Sequence, residues 1–259
     1  MKPKALVLQA HGSNRDFDVI EALTLAGADA IGTPLNELRR NKTLLLDFQL
    51  LIIPGGFSYA DALGAGKLLA LDLASYFADE ISAFVESGKP VIGICNGFQA
   101  LVKSNILPSI TEARGEGATL TFNAQGHFEC RWVTLKPVSQ TCIWTKDLDQ
   151  LIECPIAHGE GNFQISEYFP LSSFLDNDQI ALTYTDSNGS IANGEYPINP
   201  NGSIHDIAGI CNPQGNVLGL MPHPENHIHP FQHPRWTRKV NHHSGLALFK
   251  NGVKYAAQV

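Results

Sequence analysis

Several features that would place this chain in a special class of protein are missing. No apolar run approaches the ~18 residues that span a bilayer. The apolar piece of the N-terminal MKPKALVLQAHGSNRD is too short for a signal peptide. No basic stretch stands out and the formal net charge is −7, which argues against a nucleic-acid partner. These absences predict a cytoplasmic protein.

Cysteine is scarce and scattered. The five cysteines are odd in number, include no C-x-x-C, and lie at positions 95, 130, 142, 154 and 211. This spacing argues against a disulfide framework and against a structural zinc site. It fits the reducing conditions of a cytoplasm.

The usual nucleotide-binding motifs are also missing. The segment Gly64-Ala-Gly66-Lys67-Leu68 lacks the first glycine and the Ser/Thr of a P-loop. No G-x-G-x-x-G follows the first predicted strand, so a dinucleotide is not supported. We therefore expect no cofactor in this chain.

What the sequence does contain is an alternation of strand and helix patterns over its first 107 residues. Apolar runs predict strands over 5–8, 50–53 and 91–94, and amphipathic spacing predicts helices over 17–25, over 75–85 and after 95. This order implies a parallel sheet with right-handed crossovers. From about residue 119, turn-separated runs predict strands over 119–122, 128–135 and 180–185, a hairpin of 207–211 with 217–221, and a closing helix over 244–255.

No linker, repeat or low-complexity tract divides the 259 residues. We expect one α/β domain over 1–259. Its core would be an open, mainly parallel sheet flanked by helices, with a β-rich insertion or hairpin in the second half.

Cys95 stands where the strand 91–94 gives way to a helix, inside Gly93-Ile94-Cys95-Asn96-Gly97. Flanking glycines allow the sharp turn of a nucleophile elbow, and the first N–H groups of the helix favour a thiolate. A small buried core cysteine is the alternative interpretation. The motif alone does not decide between them.

A thiolate nucleophile needs a base and a group that orients the base. His223 and Glu225 follow the last predicted strand in Met221-Pro222-His223-Pro224-Glu225. Residues two apart in an extended segment point the same way, so Glu225 can hold one ring nitrogen of His223 while the other faces a thiol. The alternative is a surface turn without function.

The loop Ile53-Pro54-Gly55-Gly56-Phe57 supplies candidate donors for an oxyanion. Loops that follow neighbouring parallel strands meet at the carboxyl edge of the sheet, so this loop and Cys95 should share one rim. Asn96 can add a second backbone donor. A Gly-Gly pair alone is more often a plain turn.

PGGFS, G-x-C-N-G-x-Q and H-P-E, in this order, resemble the class I glutamine amidotransferases, which hydrolyse glutamine with a Cys-His-Glu triad on a flavodoxin-like α/β sheet. Within that family, longer stretches resemble the glutaminase subunits of phosphoribosylformylglycinamidine synthase, an enzyme of purine synthesis. These stretches are Gly12-Ser-Asn-Arg-Asp16, GGFSYADALGAGKLLA, GICNGFQAL, AHGEGNF, YPINPNGS and DIAGICNPQGNVLGLMPHPE. They are spread over nearly the whole chain. Ala60 stands where glycine is common.

The resemblance implies roles for particular residues. It makes Cys95 the nucleophile and completes the triad with His223 and Glu225. The oxyanion-binding and glutamine-binding groups would come from Gly55, Gly56, Phe57, Asn96 and Gln99. His158 and Glu160 match the family's AHGEG loop near the site.

The resemblance also implies a partner. Ammonia would pass to a synthetase subunit, joined by a small bridging subunit, that uses ATP and Mg²⁺ to turn formylglycinamide ribonucleotide into the amidine. The isolated chain would then hydrolyse glutamine slowly. Two segments could act as the gate: the Gly55-Gly56 loop, and the polar stretch 187–203, which we expect to be an interface loop rather than core.

Two other functions remain open from the sequence. A deglycase-like or peptidase-like enzyme would share the cysteine elbow but take its acidic partner from an early strand. A non-catalytic regulatory subunit would keep the fold without turnover. Ammonia release from glutamine, with and without a synthetase, separates these hypotheses.

The segment 226–243 is rich in histidine, with His227, His229, His233, His242 and His243. Histidines two apart without cysteine or grouped carboxylates are weak evidence for a metal, so we expect no metal site. We expect a solvent-exposed or partner-facing loop, with Arg235 and Trp236 as interface anchors.

Overall fold

Strands and helices alternate in the first half of the chain, and strands dominate the second half. The computed structural model describes residues 2–108, 117–166, 170–238 and 243–259. These residues form the strands β1 (Lys4–Gln9), β2 (Asp29–Pro34), β3 (Leu50–Ile53), β4 (Val91–Ile94), β5 (Ala118–Thr121), β6 (Glu129–Pro137), β7 (Ile152–His158), β8 (Asn162–Ile165), β9 (Ile180–Thr185), β10 (Ile207–Cys211) and β11 (Val217–Leu220). The helices are α1 (Asp16–Ala26), α2 (Leu35–Arg40), α3 (Lys67–Tyr76), α4 (Ala78–Glu86), α5 (Asn96–Lys103), α6 (Leu171–Asp176) and α7 (Leu246–Ala256). No helix in these ranges is long and apolar enough to cross a bilayer.

Nine strands form one sheet in the order β2-β1-β3-β4-β11-β10-β9-β6-β7. The strands from β2 to β11 pair in parallel, and those from β11 to β7 pair antiparallel. Strands β5 and β8 form a separate antiparallel ribbon. The predicted flavodoxin-like α/β fold is confirmed, and its β-rich second half continues the same sheet.

The centre of the sheet explains the apolar runs of the sequence. Every residue of β3, β4 and β11 is buried. Parallel strands that are covered on both faces need continuous apolar sequence rather than alternation. The carboxyl ends of these three central strands lead into the segments that carry Gly55, Cys95 and His223.

Most predicted elements are confirmed within one or two residues. The helix predicted over 75–85 is confirmed from residue 78 onward, but its predicted start is wrong. Helix α3 ends at Tyr76 and α4 begins at Ala78. Phe77 between them is non-helical, with φ −131° and ψ 12°, and its buried side chain anchors the change of direction. Strands β2, β7 and β8 were not predicted, since β7 alternates buried and half-buried residues and lacks a continuous apolar run.

The polar stretch 187–203 does not behave throughout as the expected interface loop. Asn199, Asn201 and Ser203 are buried. Their polar groups form hydrogen bonds with one another. The Asn199 side-chain amide donates to the Ser203 carbonyl at 2.9 Å, and the Ser203 N–H donates to Asn201 Oδ1 at 3.1 Å. Mutual hydrogen bonds let these polar residues enter the interior, so the expectation was wrong for 199–203.

The expected exposure of the histidine-rich tail was also wrong for its first part. His227 and His233 are buried, and both rings pack edge-on against Trp132, with centroid distances of 5.1 and 4.6 Å. Trp236 is 55% exposed, and His242 lies outside the described residues. Among the residues described, no group of three or more His, Cys, Asp or Glu side chains is placed to hold a metal ion.

Candidate active site

Cys95 occupies the turn between β4 and α5. Its backbone angles, φ 50° and ψ −106°, lie outside the regions that residues other than glycine readily adopt. Such a conformation costs on the order of 1–3 kcal/mol, and the surrounding structure must hold it in place. The Cys95 N–H donates to the Leu220 carbonyl of β11 at 2.8 Å, and its carbonyl accepts from the Gln99 N–H at 3.0 Å. The predicted strand-to-helix elbow is thus present and held from both sides.

The elbow depends on a close approach between α5 and β3. A Cβ on Gly97, the second residue of α5, would lie 1.9 Å from the carbonyl oxygen of Ile53. No side chain fits at that distance. Helix α5 therefore lies directly on the strand that leads into the Gly55-Gly56 loop.

We expect Gly97→Ala to destabilise the protein by about 1–3 kcal/mol or more, because the new methyl group overpacks against backbone that cannot move aside. Chemical unfolding measures the change. A Cβ on Gly159 would meet only Phe128, at 3.8 Å, so Gly159→Ala is the matched control and should leave the free energy of unfolding nearly unchanged. Equal stability of the two variants would contradict this account of the elbow.

The side chain of Cys95 is only 5% exposed. Its Sγ lies 3.8 Å from the Ala157 carbonyl oxygen, near the end of β7. The N–H of Asn96, the first residue of α5, donates to no group in the described part of the chain. An unengaged N–H at the start of a helix stabilises negative charge beside it.

His223 and Glu225 follow β11 and are both buried. The His223 N–H is fixed to the Pro155 carbonyl at 2.8 Å, and its Nδ1 lies 2.7 Å from Glu225 Oε1. Because a carboxylate accepts, Nδ1 carries the hydrogen and the ring is held by that bond. A Cβ on Gly55 would lie 2.7 Å from His223 Cε1 and 3.5 Å from Cys95 Cβ, so the ring and the thiol meet over the same glycine.

Burial and the neighbouring charges have opposite effects on the pKa of His223. Burial lowers the pKa of His223, but the negative charges of Glu225 and Cys95, together with hydrogen bonds to both, raise it to about 10. The protonated ring has a second N–H, which it can donate to the sulfur of Cys95.

The glycine loop after β3 is anchored by a loop that follows β1. The Phe57 N–H donates to the Gly12 carbonyl at 3.0 Å, and the Asn14 N–H donates to the Gly55 carbonyl at 3.5 Å. Gly56 has φ 139°, and a Cβ there would meet the Asn14 nitrogen at 2.8 Å. The Gly56 N–H donates to no group in the described ranges. Of the loop's N–H groups, that of Gly56 is therefore free for a ligand while that of Phe57 is not.

A cavity of about 180 Å³ opens in front of Cys95. Its lining includes most of the predicted site residues; the lining residues are Gly56, Phe57, Asp61, Ala65, Cys95, Gln99, Phe122, Phe128, Ala157, His158, Gly159 and Glu160. Gln99 is fixed there, since its Nε2 donates to the Glu160 carbonyl at 2.7 Å and its Oε1 accepts from Asn96 at 3.1 Å. The volume suits a single amino acid.

Two carboxylic acids, Asp61 and Glu160, also line the cavity. Asp61 accepts from the Asn96 side chain at 2.9 Å, and burial, with a further contribution from Glu160, raises the pKa of its carboxyl despite hydrogen bonds that lower it. Glu160 accepts from the Ala65 N–H at 3.3 Å and pairs with Lys103 at 3.5 Å. A more open cleft of about 1000 Å³ adjoins Glu160.

His158 ends β7 and lines the same cavity. Its ring is buried, and Nδ1 lies 3.1 Å from Asn123 Oδ1. Burial and then the charge on His223 lower the pKa of His158 to about 3, so the ring is neutral at any ordinary pH.

The structure brings together all the residues predicted for the site, at the carboxyl edge of the central strands. Sequence reasoning did not assign a role to Asp61, Asn123, Asn14 or the Ala157 carbonyl. The only signals were three stretches noted for family resemblance, Gly12-Ser-Asn-Arg-Asp16, GGFSYADALGAGKLLA and AHGEGNF, and none of them covers Asn123. Backbone groups and orienting amides leave no pattern of their own in a sequence.

The fold is that of the class I glutamine amidotransferases. A solved glutamine amidotransferase from Thermotoga maritima matches it with a TM-score of 0.57 over 100% of both chains. At 14% identity, that likeness concerns the fold alone. The family model for a CobB/CobQ-like glutamine amidotransferase domain matches residues 2–256, and the chain belongs to this family.

Several similar proteins within this family carry the name of one particular enzyme subunit. A protein of Treponema denticola named phosphoribosylformylglycinamidine synthase subunit PurQ is 54% identical, covering 98% of this chain and 99% of the relative. A subunit of the same name from Dehalococcoides mccartyi is 42% identical over 100% and 99% of the two chains. A solved chain from the structure of PurLQS from Thermotoga maritima is 32% identical, with a TM-score of 0.75 over 98% of this chain and 99% of that one. The predicted family resemblance is confirmed.

Proposed function

We propose that this chain hydrolyses glutamine to glutamate and ammonia and supplies the ammonia to a synthetase subunit that makes formylglycinamidine ribonucleotide from formylglycinamide ribonucleotide with ATP. One observation carries the proposal. Cys95, in a strained backbone turn, lies close to the buried ring of His223, which Glu225 holds by a hydrogen bond. Cys95 also lines a cavity whose volume suits one amino acid.

In the first half of the reaction, the Cys95 thiolate attacks the carbonyl carbon of the glutamine side chain. The N–H groups of Gly56 and Asn96, which have no other acceptor in the described structure, stabilise the oxyanion. Each such donor contributes on the order of 3 kcal/mol to the barrier reduction. His223 gives its proton to the leaving nitrogen, the C–N bond breaks, and ammonia and a thioester result.

In the second half, water attacks the thioester. Neutral His223 removes a proton from the water, and the same two N–H groups stabilise the second tetrahedral intermediate. Breaking the C–S bond returns the thiolate and the imidazolium and releases glutamate. Glu225 keeps the ring in one tautomer and orientation through both halves.

The names of the relatives support the choice of partner. Two similar proteins are named as subunits of phosphoribosylformylglycinamidine synthase, and a solved relative comes from an assembly named PurLQS. The partners are then the synthetase subunit and a small bridging subunit. ATP and Mg²⁺ belong to the synthetase, this chain uses no cofactor of its own, and the complex works in the cytoplasm.

Two features of the site weigh against the other functions. The acidic partner of His223 is Glu225, two residues further along, and not a residue of an early strand as in the deglycase-like and peptidase-like enzymes. Nucleophile, base and cavity are assembled together, which a purely regulatory subunit does not require.

The decisive experiment compares ammonia release from glutamine by the purified chain with release after addition of the synthetase, ATP and formylglycinamide ribonucleotide. We expect a slow basal rate that rises by roughly 5- to 150-fold, the usual size of coupling between sites. The peptide plane between Gly55 and Gly56 is the candidate gate, since glycine tolerates positive φ and the hydrogen bond that holds this plane, from the Asn14 N–H to the Gly55 carbonyl, is long at 3.5 Å.

The possible results separate the hypotheses. No ammonia under either condition would overturn the glutaminase assignment. Full activity of the chain alone would refute the gating and leave a free-standing glutaminase. Matching rates of glutamate and amidine formation in the complex would support direct transfer of ammonia.

A further inference from the structure

His158 carries a buried atom that nothing in the described protein satisfies. Its side chain is 3% exposed, and its Nε2 has no hydrogen-bond partner. Of the described side chains that line the cavity beside Cys95, this is the only one with a buried nitrogen or oxygen left unpaired. Buried polar atoms are nearly always paired, so an unpaired one on a residue that lines a binding cavity points to a ligand group.

The hydrogen bonds of Asn123 fix what kind of group this atom can bind. Asn123 Oδ1 accepts from the Gly161 N–H at 3.0 Å, and its Nδ2 donates to the His127 and His158 carbonyls at 3.0 and 2.9 Å. The amide therefore cannot be reversed. His158 Nδ1 must donate to Oδ1, which leaves Nε2 with a lone pair and no hydrogen. Nε2 can only accept.

The ring is also held in place. A Cβ on Gly161 would lie 2.2 Å from His158 Cε1 and 2.6 Å from Nε2, so the backbone of Gly161 packs closely against the ring. The positive charge on His223 contributes to the low pKa of His158, which places the two rings in the same electrostatic environment. A neutral acceptor thus lies within electrostatic reach of the group that protonates the leaving nitrogen.

We propose that His158 Nε2 accepts a hydrogen bond from the side-chain amide nitrogen of glutamine, holds that nitrogen toward His223, and discriminates glutamine from glutamate. This inference rests on the proposed glutaminase function. The amide of glutamine offers two N–H donors to such a lone pair. The carboxylate of glutamate offers only acceptors and is repelled by it.

The lone pair of His158 Nε2 is also compatible with the release of both products, ammonia and glutamate. When the C–N bond breaks, the nitrogen takes a proton from His223 and leaves as ammonia, which still donates to Nε2. Because Nε2 carries no proton, it cannot convert the ammonia to ammonium. The carboxylate formed when water cleaves the thioester meets the unpaired lone pair, which favours its release.

The test compares glutamine with the γ-methyl ester of glutamate, whose leaving oxygen has no hydrogen to donate. Values of kcat/KM for both substrates, which report acylation of Cys95, are measured in the complex with the synthetase. His158→Phe should lower kcat/KM for glutamine about tenfold or more, as expected for loss of one well-formed hydrogen bond. The value for the ester should change much less, and glutamate should inhibit the variant more strongly.

Two further variants sharpen the result. His158→Gln keeps an acceptor in the side chain and should recover part of the activity toward glutamine. His205→Asn, at an exposed turn with φ 50° that asparagine tolerates, is the matched control and should change neither substrate's kcat/KM.

Each remaining outcome counts against one hypothesis. An equal loss for both substrates in His158→Phe and His158→Gln, or no loss for either, would overturn the role of His158. Failure of the unaltered complex to hydrolyse either substrate would overturn the glutaminase function itself. If His158→Phe does not fold, His158→Gln with the same pair of substrates decides the question.

Discussion

Replacing Cys95 by alanine should lower glutamine hydrolysis by roughly 10⁴-fold or more, because no other thiol and no hydroxyl is among the described residues that line the cavity. Cys142, Cys154 and Cys211 are buried, and burial raises the pKa of the Cys154 thiol well above its usual range. The measurement is glutamate release by the complex with its synthetase. Unchanged chemical unfolding would show that the variant retains the fold.

Labelling distinguishes a nucleophile from a cysteine that is merely reachable. Cys130 is exposed, whereas Cys95 is 5% exposed at the wall of the cavity. A glutamine analogue with an electrophilic side chain should therefore label Cys95, and a simple alkylating reagent should label Cys130 first. Cys130→Ser should leave labelling by the analogue unchanged. Mass spectrometry that finds the analogue on Cys130, Cys142, Cys154 or Cys211 instead would refute the assignment.

His223→Ala should cost more activity than Glu225→Gln. Alanine removes the imidazole that protonates ammonia in the proposed reaction, whereas glutamine removes the charge that orients the ring and leaves the ring in place. We expect the histidine variant to be roughly 10–100-fold slower than the glutamate variant, by analogy with the unequal losses within other triads. Equal and total loss in two folded variants would mean that Glu225 does more than orient.

The pH profile of Glu225→Gln adds a second readout. The charge of Glu225 is the largest contribution that raises the pKa of His223 to about 10. Activity needs the imidazolium to protonate ammonia, so it falls as the pH rises through that pKa. Without the carboxylate the pKa drops, and the alkaline limb of kcat/KM should move to lower pH. An unmoved limb would show that another group sets it.

Much of this arrangement could be predicted because it depends on local sequence. The apolar runs that form β3, β4 and β11 are each followed directly by a candidate site segment. In a parallel sheet those segments must meet at one edge. The placement of Gly55, Cys95 and His223 follows from chain order and this rule.

The remainder depends on contacts between distant segments, which no local pattern encodes. Asn123 orients His158 across 35 positions of sequence. His227 and His233 are buried because Trp132 of β6 lies where the tail returns to the sheet. The helix break at Phe77 also depends on tertiary contacts, because the Phe77 side chain is buried in the core and its backbone leaves the helical conformation.

The hydrogen bond from the Cys95 N–H to the Leu220 carbonyl ties the backbone of Cys95 to β11, which comes last along the chain among the described strands. Strand β4 pairs with β11, with Ile94 opposite Leu220, and His223 follows only three residues later. Because synthesis proceeds from the N-terminus, an unfinished chain carries the cysteine without its base and without the strand that bends it into the elbow. A chain that stops before β11 therefore lacks the base and the strand that holds the elbow, so assembly of the sheet is a condition for the proposed catalysis.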